Sequence, residues 1–295
     1  MRQLGLVVHP TRSLEWVLEE LNGWASGRGV AVGQVHMTGQ TREVAEPVAP
    51  EGCDLLVALG GDGTTLTALH AGAKSSRAVL GIACGSVGAL TSVAADEATL
   101  ALDAVAAGRW APLEVPGLTV AWPGGQGAVA INDFTVIRNG TGQVQVSVTV
   151  DGVLYVALAG DGLVVATPIG SSAYTMAAGG PVLAPGAEGM AVTPLAPHGG
   201  SCPPLVAGRE TRLSIAVQPG YGGVRYEVDG RPTAVDTHEL EIGMRTGYAT
   251  LVRLADEEPR LAGLRRRGLL LDSPRVLVRQ ARLHDIKLPG VPPSP

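Results

Sequence analysis

The run LLVALG at residues 55–60 is apolar at every position before its closing glycine. It stops at Gly61-Asp62-Gly63, after which the chain takes up a helical spacing over 64–73. A strand with one wet face alternates polar and apolar residues. A strand that is apolar throughout has both faces covered, which is the signature of a parallel sheet with helices on either side. The flanking sequence repeats this design. LGLVV (4–8), VAVGQV (30–35) and AVLGIA (78–83) read as further strands. Between them lie a helix over 13–25, with Leu14, Val17, Leu18 and Leu21 on one face and Ser13 placed to cap it, and a helix over 96–108 with Asp96 near its start. Strands alternating with helices predict βαβ units, so residues 1–114 are expected to form an α/β, Rossmann-like domain on a parallel sheet.

The pattern changes near Val115. LTVAW, AVAINDFTVI, QVQVSVTV, VLYVALAG, RLSIAVQ, VRYEV, TAVDTHELEI and ATLVRL follow, rich in Val and Thr and partly alternating. Asp151-Gly152 and Asp229-Gly230 stand between such runs as hairpin signals. Residues 115–270 are therefore expected to be mostly antiparallel β, with one short helix after Ser171. The segment 271–295, Pro-rich and frayed at its end, could return to the first domain. Two domains also suit a chain of 295 residues.

Composition narrows the function. A net charge of −5 argues against nucleic acid or an anionic membrane surface as the main partner. Arg265, Arg266 and Arg267 read as a solvated turn or helix end, or else as a phosphate contact. Cys53, Cys84 and Cys202 are odd in number and lack metal spacing, which suggests reduced thiols and a cytoplasmic setting. No signal peptide is expected at the N-terminus, and no apolar run reaches the roughly 20 residues that span a bilayer.

Glycines after a parallel strand let backbone N–H groups approach an anion, and the following helix adds its positive end. Gly60, Gly61, Gly63 and Thr64 thus form a candidate phosphate cradle. Asp62 within it would repel a phosphate unless it held Mg²⁺ or accepted the proton of an attacking hydroxyl, both of which are tasks of phosphoryl transfer. A tight turn with Asp62 capping the helix accounts for the same residues. The loop is neither a Walker loop nor a GxGxxG fingerprint. A second glycine-studded string, DGLVVATPIGSSAYTMAAGGP, runs from Asp161 through a strand at 163–167 to Gly180-Pro181. Its hydroxyl residues could bond a ribose or phosphate, or an N-cap and a glycine C-cap could explain Ser171 and Gly179.

Taken together, GGDGTTL and DGLVVATPIGSSAYTMAAGGP resemble the NAD kinase family, within the superfamily that includes diacylglycerol and sphingosine kinases. LGIACGSVGAL (80–90), Asn132-Asp133 and TPLAPHGGSCPPLV (193–206) are similar to further family segments in the same order. The resemblance implies an α/β domain and a β-rich domain with the site between them, ATP as donor with Mg²⁺, and transfer to a ribose hydroxyl of NAD. It makes Asp62 the catalytic base, Gly60, Gly61, Gly63 and Thr64 the lining of the ATP phosphates, and Asn132 and Asp133 the holders of substrate ribose or diphosphate. Asp161 would face the polar end of the acceptor, Ser172, Ala173 and Tyr174 would line its pocket, and His198 matches the family's Pro-His. No protein side chain is assigned as a metal ligand. The family commonly assembles through its β-rich domain, which implies a dimer or tetramer.

Departures cluster on the acceptor side. Ala83 replaces an Asn, Ala89 an aromatic that lies on adenine, Asp133 a Glu, Ala177 a Ser, and Ile169 a Thr. Three readings stand: a working NAD kinase with compensating neighbours, a kinase that has moved to another hydroxyl acceptor such as a nucleoside, nucleotide or small polyol, and a silent nucleotide-binding regulator. His9 is expected at a strand end on the surface or touching a phosphate, and His70 in packing or solvent. Tyr174 could stack on a base or lie in the core.

Overall fold

The computed structural model describes residues 1–37, 41–86, 88–91, 93–234, 237–255 and 259–277. It opens with β1 (Gln3–Val8), α1 (Glu15–Ser26), β2 (Ala31–Gln34), β3 (Leu55–Gly60), α2 (Asp62–Ser75), β4 (Ala78–Ala83), β5 (Val93–Ala94) and α3 (Ala98–Ala106). β3 pairs in parallel with both β1 and β4. Its side chains divide as a doubly covered strand requires. Leu55, Val57 and Leu59 enter a core with α1 and α3, while Leu56 and Ala58 enter a second core with Leu66, Ala68 and Leu69 of α2. Each fully buried leucine contributes about 1.5–3 kcal/mol, which is why a continuous apolar run settles here. Ser13 does not cap α1. Leu14 occupies that position, and the Ser13 hydroxyl instead bonds the Glu15 carboxylate.

The chain continues as β6 (Ala111–Ala121), β7 (Ala128–Ala130), β8 (Asp133–Arg138), β9 (Val144–Val150), β10 (Val153–Gly160), β11 (Gly162–Ala166), α4 (Tyr174–Ala177), β12 (Gly189–Leu195), β13 (Leu205–Gly208), β14 (Leu213–Gln218), β15 (Val224–Val228), β16 (Arg231–Pro232) and β17 (Glu239–Arg253). Both Asp-Gly hairpins form, β9–β10 at 151–152 and β15–β16 at 229–230, each with its Asp and Gly at positive φ as the I′ turn needs.

Among the described residues one sheet holds eleven strands and a second holds six, in the order β13-β12-β11-β8-β15-β16. The two stack over a core that includes Leu118, Phe134, Val146, Val165 and Ile215. The two halves share the larger sheet. β17, read from sequence as separate runs, is one strand that pairs antiparallel with β6 and β14 and parallel with β4. Its apparent interruption is a register shift between Arg245 and Ala249, with Gly247 at φ 58 inside it. The 114/115 boundary falls inside β6.

Residues 1–257 form one compact unit and 258–295 a second. The second contains α5 (Arg260–Arg266), whose last turn carries Arg265 and Arg266. Arg265 pairs with Asp272 at 2.9 and 2.5 Å. The Pro-rich end expected to fray lies outside the described residues.

Candidate functional site

β3 delivers the chain to Gly61, whose extended backbone begins α2, and the amides of Thr64 and Thr65 bond the Gly61 carbonyl at 3.0 Å each. Gly63 is exposed, Gly61 and Asp62 half-buried, and Gly60 and Thr64 buried beneath them. Asp62 is the first helical residue but does not cap the helix. Its carboxylate accepts the amides of Ala89 and Leu90 at 2.8 Å each, with the Thr91 hydroxyl at 3.5 Å. The reading of Asp62 as a helix cap is therefore corrected: the side chain turns to the segment after β4. That approach needs Gly88, because a Cβ there would lie 2.0 Å from an Asp62 oxygen. Oδ1 takes both Leu90 and Thr91, whereas Oδ2 takes Ala89 alone and, with two lone pairs, keeps capacity for a further proton donor.

Arg12 adds a cation that sequence reasoning missed. Its Nη1 donates to the Cys84 carbonyl at 2.9 Å, and its guanidinium lies beside Gly61, 3.8 Å from where a Cβ would project. His9 shapes the turn that delivers it. Nδ1 of His9 accepts the amides of Thr11 and Arg12 at 3.2 Å each. Burial first, then Arg12 and Arg42, hold this imidazole below its ordinary pKa, which suits a ring whose Nδ1 acts as an acceptor.

The second string is locked onto Asn132. Thr167 donates its hydroxyl to the Ile131 carbonyl at 2.6 Å and its amide to the Asn132 carbonyl at 2.9 Å, and its hydroxyl accepts the Gly170 amide at 3.1 Å. A Cβ on Gly170 would fall 1.9 Å from the Asn132 carbonyl oxygen, so glycine is required where the two strings cross. Ser171 accepts the Leu183 amide at 2.9 Å and donates to Pro168 at 2.8 Å. Its role here is structural.

Asp229 ties α2, which the first string opens, to residues 131–133, onto which the second string is locked. Its carboxylate accepts the amides of Ile131, Asn132 and Asp133 at 3.0, 2.6 and 3.2 Å. It also accepts from Nε2 of His70 on α2 at 2.7 Å, while Nδ1 of His70 lies 3.2 Å from the Tyr248 hydroxyl. Arg231, two residues on, donates to the Thr67 hydroxyl on α2. The sequence marked Asp229 as a turn residue and His70 as packing or solvent. Nothing in either local pattern signals that they meet.

Asp133 is 5% exposed. Burial, then Asp229 and Glu227, push its carboxyl up to about 7. Tyr174 is exposed, so the core alternative does not hold. Burial first, then Glu227, raises its phenol, with Arg225 opposing and Asp161 and Asp133 adding to the rise. Asp133 and Asp161 thus each lie within electrostatic reach of Tyr174. Asp161 bonds Arg138 at 2.5 Å, Ala173 is exposed, and Ser172 is half-buried. His198 is exposed and tied by its amide to the Ala159 carbonyl at 2.8 Å; no described bond links it to the other assigned residues.

Family models for the ATP-NAD kinase N-terminal domain and the ATP-NAD kinase C-terminal domain match residues 5–110 and 131–254. The NAD kinase of Desulforamulus reducens is 31% identical over 221 residues, 73% of this chain and 74% of that protein. The chain belongs to the NAD kinase family. Other relatives include the NAD kinase of Symbiobacterium thermophilum, 37% identical over 70% of this chain and 77% of that one, and NAD kinase 1 of Streptomyces avermitilis, 33% identical over 78% and 76%. The same fold occurs in yeast NADH kinase complexed with NADH (22% identity, TM-score 0.75, 92% and 89% of the two chains). It occurs also in an NAD kinase from Archaeoglobus fulgidus in complex with ATP (24%, 0.70, 89% and 98%). Like its family, the chain is a phosphotransferase with a hydroxyl acceptor that uses a nucleotide.

Within this NAD kinase fold two departures have local explanations. Ile169 packs against the core beneath α2, and Ala83 is buried opposite Gly60 at the end of β4. Nothing in the structure explains Ala89 or Ala177. The relatives give no support to a changed acceptor. Among the described residues no three His, Cys, Asp or Glu side chains cluster as a metal site. A divalent cation fits this loop as a phosphate-borne ion, because Mg²⁺ commonly keeps several waters and binds substrate phosphate oxygens, which leaves the Asp62 carboxylate free of the metal.

Proposed function

We propose that this chain transfers the γ-phosphate of ATP to a ribose hydroxyl of NAD, giving NADP and ADP. The observation that carries the reading is the Asp229 carboxylate. It ties the helix that begins at Asp62 to the turn that presents Asn132 and Asp133, so that donor-side and acceptor-side strings belong to one compact unit. The names of the relatives support NAD as the acceptor. In this account the glycine loop and the N-terminus of α2 receive the phosphates, with Arg12 as an added cation. Asn132, Asp133, Asp161, Ser172, Ala173 and Tyr174 bind and orient the acceptor. Asp62 takes the proton of the hydroxyl as its oxygen bonds to phosphorus and the bond to ADP breaks. Mg²⁺ bound with ATP would supply neutralisation of charge on the phosphoryl oxygens, while the residues of the chain supply position.

The test is product analysis with purified protein, ATP, MgCl₂ and a panel of NAD, NADH, nucleosides and polyols. NADP formation from NAD at a turnover near the common range of about 1–10³ s⁻¹ is expected. ADP release with a nucleoside or polyol but not NAD would overturn the reading.

The three cysteines are free, which supports a cytoplasmic setting, and no helix among the described residues is long and apolar enough to cross a membrane. We also propose a homo-oligomer, dimer or tetramer, built on the β-rich half. β10 is an edge strand of the larger sheet and exposes Val153 and Leu154, 70% and 60%, beside Tyr155. Unpaired apolar edges of this kind are pairing surfaces. Light scattering is expected to give a multiple of the chain mass, and Val153→Glu to reduce it. A monomeric wild-type protein would refute the assembly.

A further inference from the structure

A cavity of about 480 Å³ opens on the flank of α2, away from the glycine loop. Val35 and Met37 beyond β2, Val48 in the following segment and Ala71 of α2 give it apolar walls. Its polar groups are His36, His70, Lys74 and Glu51, three nitrogen bases or cations against one carboxylate. None of the residues assigned above to ATP or to the acceptor lines it. The volume is that of a small-molecule site, commonly about 300–1,000 Å³.

We infer that this cavity is a second ligand site, built for an amphipathic monoanion with an apolar ring body and one acidic group directed to Lys74. The apolar walls take the body. Lys74 is exposed at the end of the cavity formed by α2, so the acidic group pairs there while remaining wet.

The site is also wired. His70 lines the cavity and is the residue whose Nε2 bonds Asp229 at 2.7 Å. Asp229 in turn holds the amides of Ile131, Asn132 and Asp133. A molecule packed against the His70 ring biases that bond, and with it the turn proposed to hold the acceptor. Coupling between two sites is reciprocal, so each ligand changes the affinity for the other by one factor. This coupling rests on the NAD reading of the acceptor turn; occupancy of the cavity does not.

The probe is 8-anilinonaphthalene-1-sulfonate, an apolar two-ring body with one sulfonate, followed by fluorescence on the full chain. Saturable binding is expected, weakened at least fivefold by Lys74→Glu and lost in Met37→Trp, which fills the cavity, with thermal melting confirming that both variants fold. Lys74→Glu is expected to leave basal turnover unchanged. Calorimetric titration of NAD with and without saturating probe is expected to show at least a threefold change in affinity in the wild type and none in Met37→Trp, whose cavity is filled. Absent saturation, or equal probe binding in folded variants, overturns the site. Probe binding with NAD affinity unchanged overturns the coupling alone. A chain that binds the probe but not NAD refutes the acceptor assignment and leaves the cavity standing.

Discussion

Nε2 of His70 lies 2.7 Å from the Asp229 carboxylate. By that bond the helix that begins at Asp62 is held to the turn carrying Asn132 and Asp133. The same carboxylate accepts three consecutive backbone amides, so its loss leaves several donors unpaired at once. Asp229→Asn keeps the shape and tolerates the left-handed backbone at φ 52, but places an NH₂ group against groups that themselves donate. The expected result is a loss of about 1–3 kcal/mol in denaturant unfolding, with KM for NAD raised about tenfold and KM for ATP within twofold, on the scale of one lost hydrogen bond to a charged group. Unchanged stability would show that the latch holds nothing.

Asp133 gives a pH signature. Its carboxyl is raised from 3.8 to about 7, by burial first and then by Asp229 and Glu227. The folded chain therefore keeps a proton that the unfolded chain releases near pH 4. Asp133's contribution to stability is fully present below that value, is lost as pH rises to about 7, and changes no further above it. The slope within the window is about 1.4 kcal/mol per pH unit. Asp133→Asn should flatten this part of the profile and leave the protein more stable than wild type at pH 8, as read by urea unfolding from pH 5 to 8. A variant with the wild-type slope would assign the pH dependence elsewhere.

Arg12 separates donor from acceptor. With its guanidinium beside Gly61 and bonded to the Cys84 carbonyl, Arg12→Ala should raise KM for ATP about tenfold, the scale of one charge-assisted bond of about 1.5–3 kcal/mol, and leave KM for NAD nearly unchanged. Steady-state kinetics varying each substrate in turn decide it. An equal rise in both constants would mean that Arg12 only supports the fold.

Much of this protein was legible in its sequence where burial alone dictates conformation. β3 and β4 match their apolar runs at 55–60 and 78–83 because both faces are covered by helices, and the two Asp-Gly turns fall where the chain demands positive φ. Other features were illegible for a physical reason: they are long-range. The single strand β17 depends on a bulge that looks like a break, and the Asp229 latch spans 159 positions to His70 and 97 to Asn132. Arg12 is an ordinary surface arginine until the pairing of β1 with β3 brings it beside Gly61. The missed cap at Ser13 is a local competition, won by the Glu15 carboxylate.

Asp62 remains the residue on which the chemistry turns, and its two oxygens already accept the amides of Ala89 and Leu90. The decisive measurement is single-turnover formation of NADP from bound ATP and NAD by Asp62→Asn, with ATP affinity measured by calorimetry and folding by thermal melting on the same preparation. Loss of a general base predicts a rate at least about 10²-fold below wild type, with ATP affinity within about threefold. A folded Asp62→Asn protein that makes NADP at the wild-type rate would contradict the account, leaving Asp62 as a residue that only pins the segment after β4.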